Sequence, residues 1–471
     1  MAEAGVTGVT GDLDAAVDDL AERFRRALEP PLRAAAELDS TTLRARFDEP
    51  LPEEGMPVED ILAQLDERSA GGLAGSTGGR YFGYVTGGAL PAAAIAEAWT
   101  AAVDQNTGMW PLGPVAIELE QVTLRWLAEL LEFPGASGYF GSGATMANTI
   151  CLAVARHRFG KRHGVDVKQQ GVRPLPELAV YGSDELHLSD HKALRTLGLG
   201  SGCVRAIPID DEYRMRVEPL VEAIERDRAA GVEPAIVIAQ AGSVNTGACD
   251  PLDEIADVCE RYDLWLHVDG AFGAFFRLCD RTASLVRGME RADSLAVDAH
   301  KWLNVPNGVG FALLRDAELH AETFGGSAGY LTPGAGANLH EFGIEASRSW
   351  RGASVWAALK QLGRGGVAEL VTNCCDLARR LADAVEEHPR LELAAPAPTN
   401  IVCFRYVRDG IDADRVNREI QARVARDGVV FHTGAELDGR FCQRAAFTSW
   451  RTTPEDVDAL VREVVAAGDS A

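Results

Sequence analysis

The sequence predicts an α/β protein: a large unit built on a mostly parallel β-sheet, followed by a smaller α+β unit. Three observations point there. Short apolar runs alternate with amphipathic stretches through the middle of the chain, as buried strands alternating with helices require. The last hundred or so residues change to long helical segments with only a few strands. At 471 residues, 46% hydrophobic and 25% charged, the chain has the length and composition to bury a large core without a disulfide or metal staple.

Taken in order, Leu13, Val17, Leu20, Phe24 and Leu28 recur at helical spacing, and Pro30-Pro31 ends that helix. A second helix is expected over residues 58–68. Residues 70–79 (AGGLAGSTGG) read as a flexible boundary, giving an N-terminal helical arm over residues 1–79. Strands are expected at 178–181 (LAVY), 235–239 (AIVIA), 264–268 (LWLHV), 295–297 (LAV) and 309–314 (VGFALL). Residues 217–230 and the segment from Leu252 to Arg261 are amphipathic, and Asp250-Pro251 before the second reads as an N-cap followed by proline. The large unit is assigned to residues 80–345. In the tail, helices are expected at 353–362 and 367–387, a strand at 401–406, a helix at 413–425 and two short strands. A last helix opens at Thr453-Pro454-Glu455-Asp456, with an N-cap, a proline and two acids in its first turn. The small unit is assigned to residues 346–471.

The net charge of −24 disfavours phosphate backbones and anionic lipid surfaces, so neither nucleic acid nor membrane is expected as a partner. The N-terminus MAEAGVTGVTGDLD lacks the basic and apolar parts of a signal peptide, and no run of 18 apolar residues occurs. The nine cysteines form no C-x-x-C pair and read as reduced, mostly buried thiols of a cytoplasmic protein. H-E-x-x-H and the P-loop pattern are absent, and no metal site is expected.

Five segments carry chemistry. In SLAVDAHKWLN (residues 294–304), Lys301 stands between an apolar strand and Trp302-Leu303. An isolated lysine is ordinarily a solvated surface charge, but a desolvated one becomes nucleophilic enough to form an imine with a carbonyl. In LWLHVDGAFGAFF (residues 264–276), Asp269 is the one acid in a long apolar segment, at a strand's carboxyl end, where ligands of open α/β sheets bind. It is either a turn aspartate or a buried anion that needs a cation such as a protonated pyridine nitrogen. GYFGSGATMAN (residues 138–148) is a glycine-rich turn opening a helix, suited to phosphate or to an ordinary tight turn. His187 in YGSDELHLSDHK lies beyond a strand, where it could stack on a planar ligand or serve the structure. AQAGSVNTGACDP (residues 239–251) is a small polar turn that could face the same pocket.

In this order the glycine turn, histidine, polar turn, H-V-D-G-A and D-A-H-K-W make the chain resemble the pyridoxal-phosphate-dependent group II amino-acid decarboxylases, which include aromatic-amino-acid, histidine and glutamate decarboxylases. The resemblance runs from about Tyr81 to the last helix. It implies the aspartate-aminotransferase-type fold (fold type I), a homodimer with sites at its interface, and an amino-acid substrate. By the resemblance, Lys301 would bond pyridoxal phosphate as an imine, Asp269 would pair with the pyridine nitrogen and His187 would stack on the ring. Ala144 and Thr145 would bind the phosphate, with Ser142, Gly143 and Asn148 shaping that turn. Ala271 would pack on the ring, and Asp298 and His300 would contact the cofactor beside the lysine. Tyr84, in YFGYVTGGALP, and Trp110 would wall the substrate pocket. Arg348 stands at the first position of a paired-arginine motif whose second position is Ser349.

The chain departs from the family in one segment. Residues 331–347 (LTPGAGANLHEFGIEAS) lack the loop tyrosine that in many members delivers a proton after CO2 leaves; Tyr330 precedes the segment, Phe342 lies within it, and His340 is the nearest titratable residue. Loss of that tyrosine in this family can divert the reaction toward oxygen, giving an aldehyde and ammonia. Decarboxylation is the expected activity, on an aromatic or other apolar-bodied amino acid. Oxidative deamination, transamination and β-elimination are the alternatives within the cofactor class. Outside it, GGSAG (residues 325–329) matches the G-x-S-x-G hydrolase elbow, with Ser327 as nucleophile, although charged helix-like residues precede it. A non-catalytic scaffold would have no reason to bury Lys301 and Asp269 in apolar surroundings.

Overall fold

The computed structural model describes residues 13–31, 33–326, 336–410 and 412–471. Its strands are β1 (Ser137–Gly141), β2 (Leu178–Ser183), β3 (Val204–Ile207), β4 (Glu233–Gln240), β5 (Trp265–Asp269), β6 (Ser294–Asp298), β7 (Gly310–Leu314), β8 (Leu391–Leu393), β9 (Ile401–Tyr406), β10 (Thr433–Leu437) and β11 (Arg440–Ala446). The first seven form one sheet in the order β1-β7-β6-β5-β4-β2-β3. Neighbours pair in parallel from β3 through β6, while β7 runs against both β6 and β1. The other four form an antiparallel sheet, β10-β11-β9-β8.

The apolar runs are continuous because this sheet is covered on both faces. Alternate residues enter different cores. Val180, Ile236, Ile238, Trp265 and Ala296 pack with Ile150, Cys151 and Val154 of the helix Ala144–Arg162. Tyr181, Val237, Val268, Leu295 and Val297 pack with Leu220 and Ile224 of the helix Val217–Ala229 and with Ile255 and Cys259 of the helix Leu252–Tyr262. The strand period of two therefore divides each run between two layers. The nine cysteines are free thiols, eight of them buried. No described helix is long and apolar enough to cross a membrane.

Each expected strand is present within one or two residues of its sequence bounds. Other expectations need correction. Residues 138–141 belong to β1 and residues 144–148 to the helix Ala144–Arg162, so only Ser142 and Gly143 of the glycine-rich segment form the turn. Asp250 does not cap the helix Leu252–Tyr262: its buried carboxylate accepts from Met215 N (2.8 Å) and Gln240 N (2.7 Å), tying the end of β4 to the segment before Val217. Residues 70–79 are not a free linker. Gly75 N donates to Ala34 O at 3.2 Å and the Thr452 hydroxyl donates to Gly79 O at 2.9 Å, and a side chain at Gly75 would collide with Arg33. Glycine serves close backbone approach there. The two tail helices form one run, Gly352–Glu387, broken only at Gly363, whose φ of 65° is left-handed. The last helix opens on Thr453 with the expected reciprocal capping box to Asp456.

Two buried contacts fix the frame around the carboxyl ends of the strands. Arg348, whose side chain is fully buried, donates to Glu120 Oε2 (3.1 Å), Thr107 Oγ1 (3.0 Å) and Phe140 O (2.7 Å), and its guanidinium lies 4.2 Å from the Tyr139 ring centroid. Glu120 also accepts from Gly352 N at 3.1 Å. Burial pushes the Glu120 carboxyl upward, and Arg348 opposes that shift. This pair joins the helix Pro114–Leu130, β1 and the start of the long tail helix. Separately, Gly87 lies against the short helix Ala299–Trp302, where a Cβ would stand 1.8 Å from the Lys301 carbonyl oxygen.

Replacing Arg348 with Met should therefore destabilise by about 3–5 kcal/mol, because Glu120 is left buried and unpaired. The urea midpoint should fall sharply and recover in part when Glu120→Leu is added; a single variant with a wild-type midpoint would remove the pair from the frame. Gly87→Ala should lower the midpoint by the equivalent of roughly 1–3 kcal/mol through overpacking. An unchanged midpoint there would mean that the two segments separate freely.

Candidate active site

β5 and β6 are adjacent parallel strands, so their carboxyl ends, Asp269 and Asp298, open on the same edge of the sheet. β1, antiparallel to β7 and so parallel to β6, brings Gly141 and the following turn to that edge as well. β2 leads there into His187, the N-cap of the helix Leu188–Thr196. The chemistry-bearing residues thus meet because four strands point the same way, which is where ligands of open α/β sheets bind.

Lys301 sits on the short helix after β6, its side chain 18% exposed. Its Nζ lies 3.0 Å from Asp298 Oδ2 and 5.5 Å from the centroid of the Phe272 ring. The other oxygen of Asp298 accepts from Ala144 N at 2.5 Å, at the start of the helix Ala144–Arg162. Gly143 fits against Asp298 and His300; its φ of 145° and the 3.3 Å that a Cβ would leave to Asp298 both favour glycine. His300 Nδ1 donates to Val309 O at 2.9 Å and lies 3.7 Å from Asp298 Oδ1. Ser142 and Thr145 are exposed at the same turn, where Ala144 N is taken by Asp298 and the N–H groups of Met146 and Ala147 by Gly143 O.

Asp269 is 5% exposed. Its Oδ2 accepts from Asn148 Nδ2 (3.0 Å) and its Oδ1 from Ala271 N (3.0 Å), and no cation of the described residues forms a salt bridge with it. His267, two residues earlier on the same face of β5, lies 3.1 Å from Asn148 Oδ1 and 2.9 Å from Ser294 Oγ. Complete burial pushes His267 down to about 4, so it is neutral. His187 Nδ1 is 2.6 Å from Ser189 Oγ, which in turn accepts from Asn148 Nδ2 at 3.2 Å. Burial lowers the His187 imidazole as well, against the opposing pull of Asp269. Ala271 donates to Asp269 and accepts from Asp298 N at 2.9 Å, which couples the two strand ends.

The sequence-derived set therefore divides in two. Lys301, Asp298, His300, Gly143 and Ala144 form one contact network, and His187, Asn148, Asp269 and Ala271 form another, joined through Ala271. Tyr84 and Trp110 make no hydrogen bond or ring contact to either among the described residues. Tyr84 is 63% exposed with a left-handed φ of 56°, and its carbonyl accepts from Arg444. Trp110 packs on the segment from Gly336 to Asn338. Tyr330 and residues 331–335 lie outside the described residues, as does Ser327. Gly325 follows the helix Ala317–Phe324, where a hydrolase elbow requires a strand. His340 sits on the helical turn Leu339–Phe342, its N–H donating to Gly108 O.

Sequence reasoning missed His267, Ser189, Ser294 and Asn304. His267 was within reach, since strand period alone sets it on the face of Asp269. Asn304 was not: its amide donates to Lys301 O, Trp302 O and Thr448 O and accepts from Trp450 N, binding the lysine helix to a segment almost 150 residues later.

The donor set fits pyridoxal phosphate. A buried carboxylate with hydrogen bonds but no cation matches a protonated ring nitrogen, and a lysine at the adjacent strand end matches an aldehyde. Comparison with known proteins agrees. The pyridoxal-dependent decarboxylase conserved domain matches residues 41–407. The chain is similar to the aromatic-L-amino-acid decarboxylase of Bacillus atrophaeus, with 29% identity over 96% of this chain and 94% of that one. It is 32% identical to the L-2,4-diaminobutyrate decarboxylase of Rhizobium meliloti (strain 1021) over 79% of this chain and 74% of that one. Among solved structures, mouse CSAD superposes with a TM-score of 0.89 at 26% identity, covering 97% of this chain and 99% of that one. The chain belongs to the pyridoxal-dependent decarboxylase family, a lyase that uses pyridoxal phosphate on a fold of type I.

Proposed function

We propose that this decarboxylase acts on an L-amino acid with an aromatic or other apolar-bodied side chain and releases the amine and CO2. The observation that carries the catalytic reading is the uncompensated Asp269 carboxylate one strand from Lys301. Lys301 would hold the aldehyde carbon of the cofactor, Asp269 would face the ring nitrogen, and His187 and Ala271 would flank the ring. The turn from Ser142 to Thr145, with Gly143 and Ala144, would take the phosphate, while the Asn148 amide serves Asp269 rather than that turn. Asp298 and His300 would order the lysine side. When bound, pyridoxal phosphate supplies an electron sink for the pair left at the α-carbon as CO2 departs.

The chain's own residues do the rest. Asp269, which accepts from the N–H groups of Asn148 and Ala271, would hold a proton on the ring nitrogen by charge. Neutral His187 would lie against the ring and restrict its orientation. Asp298, 3.0 Å from the Lys301 amine, orients that amine and can hold its proton as the substrate's amine replaces it. Tyr84 and Trp110 are proposed as pocket walls in a homodimer. Ile95 (56%), Trp99 (54%), Leu112 (46%) and Val115 (66%) are exposed close to them in sequence, and a second copy would cover such apolar surface. The chain is proposed to work in the cytoplasm, with boundaries near residues 79 and 345 between arm, large unit and small unit. The aromatic preference rests on the aromatic-L-amino-acid decarboxylase relative. The diaminobutyrate relative makes a cationic side chain the competing substrate.

Borohydride reduction followed by peptide mapping should place the cofactor on Lys301, and Lys301→Ala should trap none; a label on another lysine would overturn the assignment. Asp269→Ala should lower turnover by roughly 10²–10³ through loss of a preorganised charge, and near-normal turnover would remove its role. An amino-acid panel assayed under air and under argon should yield CO2 and amine in equal amounts in both. Oxygen uptake with aldehyde and peroxide would instead mark the oxidative route.

A further inference from the structure

One buried carboxyl beside the site has no part in the chemistry above. Asp190 lies in the first turn of the helix Leu188–Thr196 and is 0% exposed. It interacts with Asp269, and the adjacent Ser189 shares the Asn148 amide with the Asp269 carboxylate. Neither oxygen has a hydrogen-bond partner among the described residues. The reason is simple: two carboxylates have no hydrogen between them. A proton on Asp190 supplies the missing donor and turns a repulsive contact into an acid–carboxylate hydrogen bond.

The surroundings decide which acid carries that proton. Cys151, from the helix Ala144–Arg162, is the other titratable neighbour of Asp190, and burial pushes its thiol up, so it stays neutral. His267 beyond Asn148 is neutral as well. The helix N-terminus favours an anion at Asp190, but burial and the charge of Asp269 both oppose one, and they prevail: the Asp190 carboxyl is pushed well above the usual carboxylate range. Asp269, by contrast, already accepts two N–H groups, from Asn148 and Ala271. The pair then carries a single negative charge, the amount that one protonated ring nitrogen neutralises.

We propose that Asp190 is a positioning residue: a neutral carboxylic acid that donates its proton to the Asp269 carboxylate and so holds Asp269 ionised and aimed at the ring nitrogen. This deepens the function proposed above and rests on its placing Asp269 against that nitrogen. No covalent bond changes; the proton stays between the two acids.

Two variants and two readouts test it. Asp190→Asn keeps a donor that cannot titrate, and Asp190→Leu removes the donor while filling similar space. In cofactor-free protein at neutral pH, difference infrared spectroscopy should detect the carbonyl band of a buried protonated carboxyl in the wild type, absent in both variants. Calorimetric titration with pyridoxal phosphate should give Asp190→Asn a dissociation constant within roughly threefold of wild type. Asp190→Leu should bind roughly 10- to 100-fold more weakly, the range for a hydrogen bond to a charged group. Wild type without the band overturns the proposal, as does Asp190→Leu binding like wild type. Should Asp190→Leu fail to fold, judged by circular dichroism, the band and the Asp190→Asn affinity still decide. Borohydride mapping separates the two readings. A label at Lys301 with no band sinks the Asp190 proposal alone, whereas a band with the label on another lysine sinks the function proposed for Lys301 and leaves the shared proton standing.

Discussion

A carboxylate taken out of water must be repaid by hydrogen bonds and by an opposite charge, and the centre of this molecule is arranged around one that has only the first. Asp269 is held by two N–H groups and meets no cation of the described residues. Its surroundings make sense as a preformed half of an ion pair. The Asn148 amide is fixed from its other side by neutral His267, and His267 by Ser294. The polar chain runs from the helix Ala144–Arg162 across β5 to β6, so a rigid sheet, rather than a loop, sets the direction of the carboxylate. Such preorganisation favours charge development at the far side of a ligand without reorganisation at the moment of reaction.

The lysine side uses the same frame. Asp298 and Asp269 end neighbouring parallel strands, and Ala271 is hydrogen-bonded to both. Lys301 follows by three residues on a short helix that is anchored three ways: by Gly87 packed on its carbonyl, by the Asn304 amide and by Val309, just before β7, through His300. The amine and the carboxylate are thereby fixed relative to each other by backbone, which flexes less than side chains do.

The buried Arg348–Glu120 pair serves a different purpose. A well-packed apolar pair can match a buried ion pair in stability. Arg348, however, satisfies the carbonyl of Phe140 and the hydroxyl of Thr107, while Glu120 takes the N–H of Gly352. Three segments distant in sequence are joined at one point, next to the turn that follows β1. Sequence reasoning located Arg348 by resemblance but had no means to find Glu120, because an acid on an amphipathic helix looks solvated until its neighbours are known.

Much of the molecule was legible in the chain itself. Runs such as AIVIA and LAV could only be strands covered on both faces, because their length is too short for a buried helix and their residues too apolar for an exposed edge. The motifs H-V-D-G-A and D-A-H-K-W singled out the lysine and the carboxylate through their resemblance to a known family; an ionisable residue inside an apolar segment was a signal that left a turn aspartate or a solvated lysine open. Where local signals failed, a long-range contact had taken over. Asp250 looked like a helix cap and instead accepts from two distant backbone amides; residues 70–79 looked flexible and instead pack against Arg33, Ala34 and Thr452. The sequence by itself determined which residue types carry the chemistry and in which secondary elements they sit. Only the tertiary structure decided which buried charges lie side by side, because the pairing of Arg348 with Glu120 depends on sheet order and helix packing, and neither leaves a periodic trace along the chain.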